Sequence, residues 1–513
     1  MGLIFRWVVV ALALELMPVV AYSHDGTEPA EPAPDRLVAI GDTHGDFDTI
    51  IKLLQAPAVG ILDKDLRWAG QRTHLVVTGD MLDRGSRGFD IIKLFMRLER
   101  EAARAGGKVT VLLGNHEVMN LTGFYRDVYP DEYGRFAGEE SSGLRRETTQ
   151  ALKEFLTTPR PELAEKKMYE KMYMDIVKGG APTKRDDSDD EEGWFDSLVT
   201  RVFVGRASSK QKPTKEEAER QIQETIDRGF ARRFPPGYFA RHRQLSLQHE
   251  IGRWLLSRKG IARIGSTLFM HGGLSLEWSR TPFAELERRF SDELVEFKNL
   301  VARLEKLGLY RSELGYDVLS QLLNAELRKA GPKPPTLVSP SGKEIGAPIV
   351  VPAPEREVIQ IARRIREIET GPGFDYGGIL WYRGWATGSQ GRSEEAQVDE
   401  MLANQKAKRM VVGHTVTQSK RIEARFNQKV WLIDVGMNHA FYQGQPEALE
   451  ILQDTEIRVL PLEGPAYAVG EKPTAPKSIY SAPSKEPARL PPVVVPPPKY
   501  PVDDSPPSPH GRS

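Results

Sequence analysis

The sequence predicts an α/β protein in which short buried strands alternate with helices. Val- and Leu-rich runs at residues 37–40, 75–77 and 109–113 are short, and a polar block whose first residue is Gly follows each of them. Such runs are typical of buried strands that end in loops. Residues 282–307 instead place apolar residues at alternating steps of four and three, which predicts an amphipathic helix. We expect this helix to pack as a cap over the strand ends, with a coiled-coil surface as the alternative.

Five polar blocks follow apolar runs of this kind and carry most of the information about function. Because buried strands end at one rim of a sheet, we expect the side chains of the five blocks to converge there. The blocks are GDTHGD at 41–46, GDMLDRG at 79–85, GNHE at 114–117, HGG at 271–273 and GHT at 413–415.

The side chains in these blocks suit divalent metals at a hydrolytic site. Such sites combine His nitrogen with carboxylate or amide oxygen, and one carboxylate can bridge two ions. Two ions about 3.5–4 Å apart would acidify water and clamp both oxygens of an in-line displacement at phosphorus. The blocks therefore predict a phosphoesterase with two metal ions. The candidate ligands are Asp42, His44, Asp80, Asn115, His271 and His414.

The same blocks resemble the signature of the calcineurin-like metallophosphoesterases, and within them the phosphoprotein phosphatase (PPP) family. The residues before GNHE and before His414 differ from the Arg and Arg-Ala of eukaryotic serine/threonine enzymes, which points to the bacterial-like branch. Further blocks resemble the Shewanella-like phosphatases of that branch. These are TLFMHGGLS at 267–275, LWYRG at 380–384 and IDVGM at 433–437.

The resemblance implies a fold, namely the four-layer metallophosphoesterase sandwich, with two mixed β-sheets flanked by helices and with helical insertions. It also implies a division of the ligands between two ions, which would be Mn, Fe or Zn. The first ion would be held by Asp42, His44 and Asp80, and the second by Asp80, Asn115, His271 and His414.

The resemblance further implies roles for side chains that touch the substrate. Arg84 and Arg383 would hold the phosphate, because a guanidinium is permanently charged and binds two oxygens in a fixed fork. His116 would protonate the leaving oxygen, in an orientation fixed by Asp83. Asn115 would both bind metal and donate a hydrogen bond to the phosphate.

Some of these residues have simpler alternative interpretations. Asp83 and Arg84 could form an ordinary salt bridge in a loop, and the LWYRG block also makes sense as core packing. We assign Glu117 to structure, as an acceptor of hydrogen bonds that fix the GNHE loop, and His74 to packing within its strand. Phe124 stands where Shewanella-like enzymes usually have an acid, so we expect an altered neighbourhood around the pocket.

The five blocks span most of the 513 residues, which favours one large catalytic domain, over 36–463, with insertions at about 147–233 and 281–375. Before it, residues 1–23 have the pattern of a signal peptide and 24–35 that of a Pro/Glu linker. We therefore expect the secretory pathway, as a secreted or organelle-lumen protein without stable membrane insertion after cleavage. A signal anchor is the alternative. Residues 464–513 are Pro-rich, which predicts a disordered tail that could dock a reader of Pro-rich motifs.

Composition limits the partners. Lys and Arg total 71 and Asp and Glu total 71, so no net field favours nucleic acid or an anionic membrane. The resemblance favours a phosphorylated protein as substrate, with phosphotyrosine preferred. The alternative is a small phosphate compound such as a dinucleoside polyphosphate. A catalytically inactive binding module is disfavoured because the ligand set is intact.

Overall fold

The apolar runs of the sequence form strands in two five-stranded mixed sheets. The computed structural model describes residues 31–158, 166–178, 214–330, 353–389 and 391–469. Nearly all strand residues in the middle of the sheets are buried, which explains why they are continuously apolar instead of alternating. The strands are β1 (Arg36–Ile40), β2 (His74–Val77), β3 (Lys108–Val111), β4 (Ile261–Ile264), β5 (Thr267–Met270), β6 (Arg409–Val412), β7 (Glu423–Arg425), β8 (Val430–Leu432), β9 (Glu447–Leu452) and β10 (Glu456–Pro461).

Each sheet contains three adjacent parallel strands and two further strands that pair in antiparallel fashion. The first sheet has the order β10-β9-β1-β2-β3, in which β1, β2 and β3 are parallel. The second has the order β4-β5-β6-β8-β7, in which β5, β6 and β8 are parallel. One hydrophobic core contains residues from both sheets. The parallel strands bring six carboxyl ends to the region where the two sheets meet.

Helices flank both sheets, so the predicted fold class is confirmed. A short 3-10 turn at Ser312–Leu314 precedes α12. In chain order the helices are α1 (Phe47–Gln55), α2 (Gly88–Arg104), α3 (Asn115–Thr122), α4 (Pro130–Phe136), α5 (Ser142–Thr157), α6 (Lys166–Lys178), α7 (Lys215–Arg233), α8 (Tyr238–Gln244), α9 (Glu250–Leu256), α10 (Leu276–Ser279), α11 (Phe283–Lys306), α12 (Tyr316–Ala330), α13 (Ala353–Ile368), α14 (Gly384–Thr387), α15 (Arg392–Asn404) and α16 (His439–Tyr442).

A second hydrophobic core lies among the helices that the sequence places in two separate insertions. Side chains from α5, α6, α7 and α8 meet others from α11, α12 and α13 there. Helix α11 is the amphipathic helix expected at 282–307, and its apolar stripe joins the two cores. Leu286, Phe290 and Leu294 pack into the sheet core, while Phe297, Val301 and Leu304 pack into the helical core. The stripe is therefore buried within this chain, which leaves no apolar seam for a coiled coil.

Two predicted boundaries need correction. The linker is predicted to extend to residue 35, but Glu31 forms a bridge to Ile264, and its backbone N–H donates to the Arg263 carbonyl at 3.2 Å. The disordered tail is predicted to begin at 464, but Tyr467 forms a bridge to Val459 of β10, so ordered chain continues through the described residues up to 469. The first insertion, predicted to begin at about 147, starts within α5.

Several predictions fall on residues outside the described ranges. The signal peptide at 1–23, residues 24–30 of the linker and residues 470–513 of the tail are among them. Within the ranges that the structure does describe, no helix combines the length and the apolar character that crossing a membrane would require.

Candidate active site

All five sequence blocks meet at the carboxyl ends of the parallel strands. In the first sheet, β1 leads to Asp42 and His44, and β2 leads to Asp80. In the second sheet, β5 leads directly to His271, and β6 leads to His414. Asn115 and His116 follow β3 and form the first turn of α3. The structure thus brings together all six predicted metal ligands, with Asp80 at their centre.

The Asp80 carboxylate is the meeting point of two groups of potential ligands. Its Oδ2 lies 3.6 Å from Nε2 of His44, 3.8 Å from Nε2 of His116 and 3.2 Å from Nε2 of His271. One group combines Asp80 with His44 and His116, and the other combines Asp80 with His271 and His414. Burial raises the pKa of the Asp80 carboxyl, but the neighbouring imidazoles of His271 and His116 outweigh it and hold the pKa well below its usual value.

The contacts of His271 are those of a cation-binding residue. Its Nδ1 donates to the Thr78 carbonyl at 2.9 Å, so in the neutral ring Nε2 carries the lone pair. That lone pair faces the Asn115 Oδ1 at 2.8 Å, which is also an acceptor. Burial lowers the pKa of His271, but the Asp80 and Asp42 carboxylates outweigh it and raise the pKa to about 9. The site therefore favours a positive charge between Nε2 of His271, Oδ1 of Asn115 and the Asp80 carboxylate, which either a proton on His271 or a bound cation would supply.

Two further observations fit a metal at this position. Nε2 of His414 is buried and has no hydrogen-bond partner within the described part of the chain. Asp42 lies against a second buried acid, Asp434, and burial together with that neighbouring carboxylate raises the pKa of Asp42 well above its usual value. An uncompensated pair of buried carboxylates is unfavourable, so a nearby cation would stabilise it. The donor set of imidazole, carboxylate and amide suits a divalent transition metal.

Glu117 fixes the loop that carries Asp80. Its buried carboxylate accepts four backbone hydrogen bonds, from Asp80 at 2.8 Å, Met81 at 2.8 Å, Leu82 at 3.0 Å and Gly114 at 2.9 Å. The structural role predicted for Glu117 is confirmed, and its contacts reach the GDMLDRG loop as well as the GNHE loop. Four N–H groups that would otherwise lie unpaired near the ligands are satisfied by one side chain.

The ligand loops hold an unusual backbone conformation. His44, Asp80, Asp83, Arg84 and His414 have φ values of 41°, 52°, 65°, 62° and 65°. Non-Gly residues in this left-handed region are uncommon and cluster at functional sites, where surrounding contacts hold them.

The close approach of these loops explains why a Gly precedes Asp80. Gly79 has a φ of 101°, and a Cβ at this position would lie 2.2 Å from the backbone nitrogen of Gly114. Only Gly lets the second and third blocks touch in this way.

His116 and Asp83 form the pair that the resemblance implies. Nδ1 of His116 lies 2.7 Å from Oδ2 of Asp83, and because a carboxylate accepts, Nδ1 donates. Nε2 is thereby directed toward the ligand cluster. Burial lowers the pKa of His116, but the Asp80 and Asp83 carboxylates outweigh burial, so the pKa of His116 lies above its usual value. Asn120 completes the arrangement, since its amide nitrogen donates to both Asp83 oxygens at 3.0 and 2.9 Å.

Both predicted phosphate-binding arginines lie at the site. Arg84 places Nη1 2.6 Å from Nε2 of His44. Arg383 donates from Nη1 to the His414 carbonyl at 2.9 Å and to the Thr415 hydroxyl at 3.2 Å. The Asp83–Arg84 salt bridge considered as an alternative is not the arrangement found, because Asp83 is directed to His116 and Arg84 to His44. The two guanidinium groups therefore face the pocket from separate loops.

Comparison with known proteins agrees with this arrangement. Residues 35–209 match the calcineurin-like phosphoesterase family. Shewanella-like protein phosphatase 2 of Arabidopsis thaliana is 24% identical over 433 residues, which cover 83% of this chain and 78% of that protein. Shewanella-like protein phosphatase 1 of Plasmodium berghei is 34% identical over 101 residues, covering 20% of this chain and 27% of that protein.

Residues 35–209 thus carry the sequence pattern of a calcineurin-like phosphoesterase domain. The chain is a hydrolytic phosphatase, and the predicted resemblance to Shewanella-like phosphatases is confirmed. Among solved structures, the cold-active protein-tyrosine phosphatase of a psychrophilic Shewanella species is similar with a TM-score of 0.43 and 20% identity, over 86% of this chain and 82% of that one.

Aromatic side chains lie beside the candidate ligands and Arg84. Trp381 lies with its ring centroid 5.8 Å from that of His414, and Tyr376 packs 6.0 Å from Trp381 while remaining 80% exposed. On the Arg84 side, Phe441 and Tyr442 have centroids 5.9 and 5.6 Å from the guanidinium carbon. Rings therefore lie next to the candidate ligand His414 and next to the Arg84 guanidinium.

The sequence singled out the candidate metal ligands but missed residues that hold them in place. Asn438 donates to the His44 carbonyl at 2.8 Å and to the Arg84 carbonyl at 3.3 Å, which ties two strained loops together. Asp434 lies within the IDVGM block, so that block was the available signal. Asn120 and Arg241 had no such signal. Asn120 begins an Asn-Leu-Thr glycosylation motif, but its side chain is fully buried and both ends of its amide are hydrogen-bonded.

Proposed function

We propose that this phosphatase hydrolyses phosphomonoesters of proteins, with phosphotyrosine preferred, at a site for two divalent ions. One observation carries the proposal: two groups of ligands share the single carboxylate of Asp80. A shared carboxylate flanked by imidazoles on both sides is the arrangement that a bridged pair of ions requires. Asp42, His44 and Asp80 would hold the first ion. Asp80, Asn115, His271 and His414 would hold the second.

The composition of the ligand set narrows the identity of the ions. It contains nitrogen and oxygen donors and no thiolate, which suits Mn, Fe or Zn and disfavours soft ions such as Cu(I). His116 also lies within reach of Asp80 and could be counted as a ligand. We assign it to proton transfer, because its other ring nitrogen is already held by Asp83 at 2.7 Å. A carboxylate partner can also orient a metal-bound His, so the metal content of a His116 variant separates the two roles.

The side chains of the chain would act on the phosphate as follows. Arg84 and Arg383 would bind its non-bridging oxygens from two directions. When bound, the two ions would polarise the phosphoryl group and lower the pKa of water. A water oxygen forms the new bond to phosphorus as the bond to the alcohol or phenol oxygen breaks. His116 would give its Nε2 proton to that leaving oxygen, while Asp83 stabilises the ring through Nδ1.

The rings near His414 and Arg84 support a preference for phosphotyrosine. The rings of Trp381 and Tyr376 near His414, and of Phe441 near Arg84, would offer contacts to a phenyl group attached to a bound phosphate. Aromatic pairs of this kind contribute about 0.5–1.5 kcal/mol beyond the burial of their area. Shorter phosphoserine and phosphothreonine side chains would reach the pocket without placing a ring among them.

An assay on metal-reconstituted protein would test the proposal directly. We expect kcat/KM to be higher for a phosphotyrosine peptide than for a phosphothreonine peptide of the same sequence, and higher for both than for a dinucleoside polyphosphate. The inactive control is Asp80→Asn, prepared identically to exclude contaminating phosphatases. If the dinucleoside polyphosphate were the best substrate, the proposed function would change from a protein phosphatase to a hydrolase of small phosphate compounds. Equal rates on the two peptides would remove the phosphotyrosine preference.

The location of the protein is a separate proposal. We infer from the sequence alone that residues 1–23 are a signal peptide that directs the chain to the secretory pathway. Sequencing the amino terminus of the protein from its native source would test this. A mature chain that begins near His24 is the expected result, whereas an intact Met1 on a membrane-bound protein would favour the signal anchor.

A further inference from the structure

A completely buried arginine lies behind the Asp83–His116 pair. Arg241, on α8, has 1% of its surface exposed. Its Nε donates to Oε1 of Glu132 at 2.5 Å, and its Nη2 donates to Oδ1 of Asn120 at 2.6 Å. The guanidinium carbon also lies 5.3 Å from the ring centre of Phe89 and 5.6 Å from that of Tyr125. Arginine is almost never buried this deeply without a specific set of partners.

The contact with Arg241 determines how the Asn120 amide is turned. A guanidinium has only donors, so the oxygen of Asn120 must face it and the NH₂ group must face the opposite way. There the NH₂ donates to both oxygens of Asp83, at 3.0 and 2.9 Å, and to the His116 carbonyl at 2.9 Å. If the amide turned over, its oxygen would face the Asp83 carboxylate and its NH₂ the guanidinium. Both contacts would become repulsive.

The orientation of Asn120 in turn fixes Asp83 against His116. Asp83 is fully buried. Its carboxylate accepts one hydrogen bond from Nδ1 of His116 and two from the amide nitrogen of Asn120. The Arg241 guanidinium lies only 3.9 Å from Oδ1 of Asp83, so its charge also stabilises that carboxylate. Loss of Arg241 would leave the Asn120 amide free to turn and Asp83 free to rotate away from His116.

We propose that Arg241 is a positioning residue for His116, acting through Asn120 and Asp83. This inference rests on the proposed function, in which His116 protonates the leaving oxygen. It assigns part of the catalytic apparatus to helices outside the two sheets, because Arg241 comes from α8 and its partner Glu132 from α4. Neither Arg241 nor Asn120 needs to contact the substrate.

The leaving group of the substrate provides the test. An alkyl phosphate such as a phosphoserine peptide needs a proton on its leaving oxygen, whereas p-nitrophenyl phosphate has a leaving group that bears charge easily. Arg241→Met keeps much of the length and the apolar contacts but removes every donor. We expect it to lower kcat on the phosphoserine peptide by roughly 10- to 100-fold, part of the range typical of proton transfer. We expect kcat on p-nitrophenyl phosphate to change by less than about 3-fold, with KM and metal content unchanged.

Two comparisons separate this role from a loss of stability. Arg36→Met removes a different partly buried ion pair, with Glu450 at 2.6 Å, at the start of β1 and away from the ligands. Any change in kcat that Arg36→Met causes should be equal for the two substrates. Arg241→Lys retains a charge without the forked geometry. It should lower kcat on the phosphoserine peptide by a smaller factor, again with little change on p-nitrophenyl phosphate. It also serves if Arg241→Met does not fold.

His116→Asn measured in parallel distinguishes the possible failures. If this variant lowers kcat equally on both substrates, the proposed role of His116 is wrong and the inference falls with it. If it lowers kcat selectively on the phosphoserine peptide but Arg241→Met and Arg241→Lys do not, the proposed function stands and the inference about Arg241 is overturned. The double variant Arg241→Met with His116→Asn should lose no more activity on the phosphoserine peptide than His116→Asn alone, because residues that act as a unit are not additive. A further loss would contradict the proposal.

Discussion

Replacement of Glu117 by Gln tests whether the ligand loops depend on one buried carboxylate. The carboxylate accepts two N–H groups on each oxygen, from Met81 and Leu82 on Oε1 and from Asp80 and Gly114 on Oε2. Gln retains one oxygen and turns an NH₂ group toward the other two donors. Two charge-assisted hydrogen bonds are lost, and the side-chain NH₂ group of Gln faces two backbone N–H groups, which are also donors.

The structure permits an estimate of the size of this effect. A hydrogen bond to a charged group contributes about 1.5–3 kcal/mol, so two of them sum to about 3–6 kcal/mol. That is a large part of the roughly 5–15 kcal/mol by which a folded domain is stable. With a shift of about 2 °C per kcal/mol for a large domain, Tm should fall by at least roughly 6 °C. Metal affinity should fall too, because the loop that holds Asp80 at a φ of 52° loses its support.

Urea unfolding of the metal-free protein and metal analysis after reconstitution would measure both effects. The matched control is Glu224→Gln, which makes the same chemical change at an exposed position on α7. The control should alter the free energy of unfolding by no more than about 0.5 kcal/mol. If Glu117→Gln unfolded at the same urea concentration as the unaltered protein, or bound metal equally well, the account of Glu117 would be refuted.

Three further predictions follow from other contacts. Asp80→Asn should remove most activity and reduce bound metal at both positions, as measured by elemental analysis; near-normal activity with full metal loading would contradict the bridging role. Burial lowers the pKa of Lys298 to about 8. The unfolded chain then binds more protons between about pH 8 and the ordinary Lys value, so this group makes the free energy of unfolding rise over that interval. Lys298→Met should reduce the rise, and an unchanged pH profile would show that the group is not buried when folded. A chain ending at residue 469 should keep its stability. A chain ending at 464 should have a lower Tm, because it lacks the Tyr467 hydroxyl that donates to Glu447 at 2.7 Å. Equal Tm values for the two chains would show that the domain ends at 464, as the sequence predicts.

The sheets and the convergence of the candidate ligands could be predicted because the information about them is local. A buried parallel strand is a short apolar run, and the residues after it lie at the sheet edge regardless of what the intervening chain does. His271 and His414 are far from Asp80 in the sequence, yet each directly follows a strand or lies two residues beyond one. The fold of the strands alone is enough to bring them together.

The residues that hold the ligands could not be predicted for the opposite reason. Arg241 lies in a segment rich in charge, where a solvated helix face is the ordinary expectation. Its burial depends on how α8 packs against α3 and α4, which no local pattern reports. The ordered residues Glu31 and Tyr467 were missed similarly, because their composition does not show that Glu31 pairs with Ile264 or that Tyr467 pairs with Val459 and donates to Glu447.

Helix α3 is where the sheets and the inserted helices meet. Its first turn carries Asn115 and His116, and its later turns are held by three contacts from helical segments. Arg241 donates to Asn120 at 2.6 Å, Lys298 of α11 donates to the Leu121 carbonyl at 2.8 Å, and the backbone N–H of Tyr316 donates to the Gly123 carbonyl at 2.8 Å. A cation at the carboxyl end of a helix is favourable to the helix dipole, so Lys298 stabilises α3 as well as anchoring it. Because these contacts reach α3 from helices that share one hydrophobic core, a change in that core can alter the position of His116 without touching a ligand.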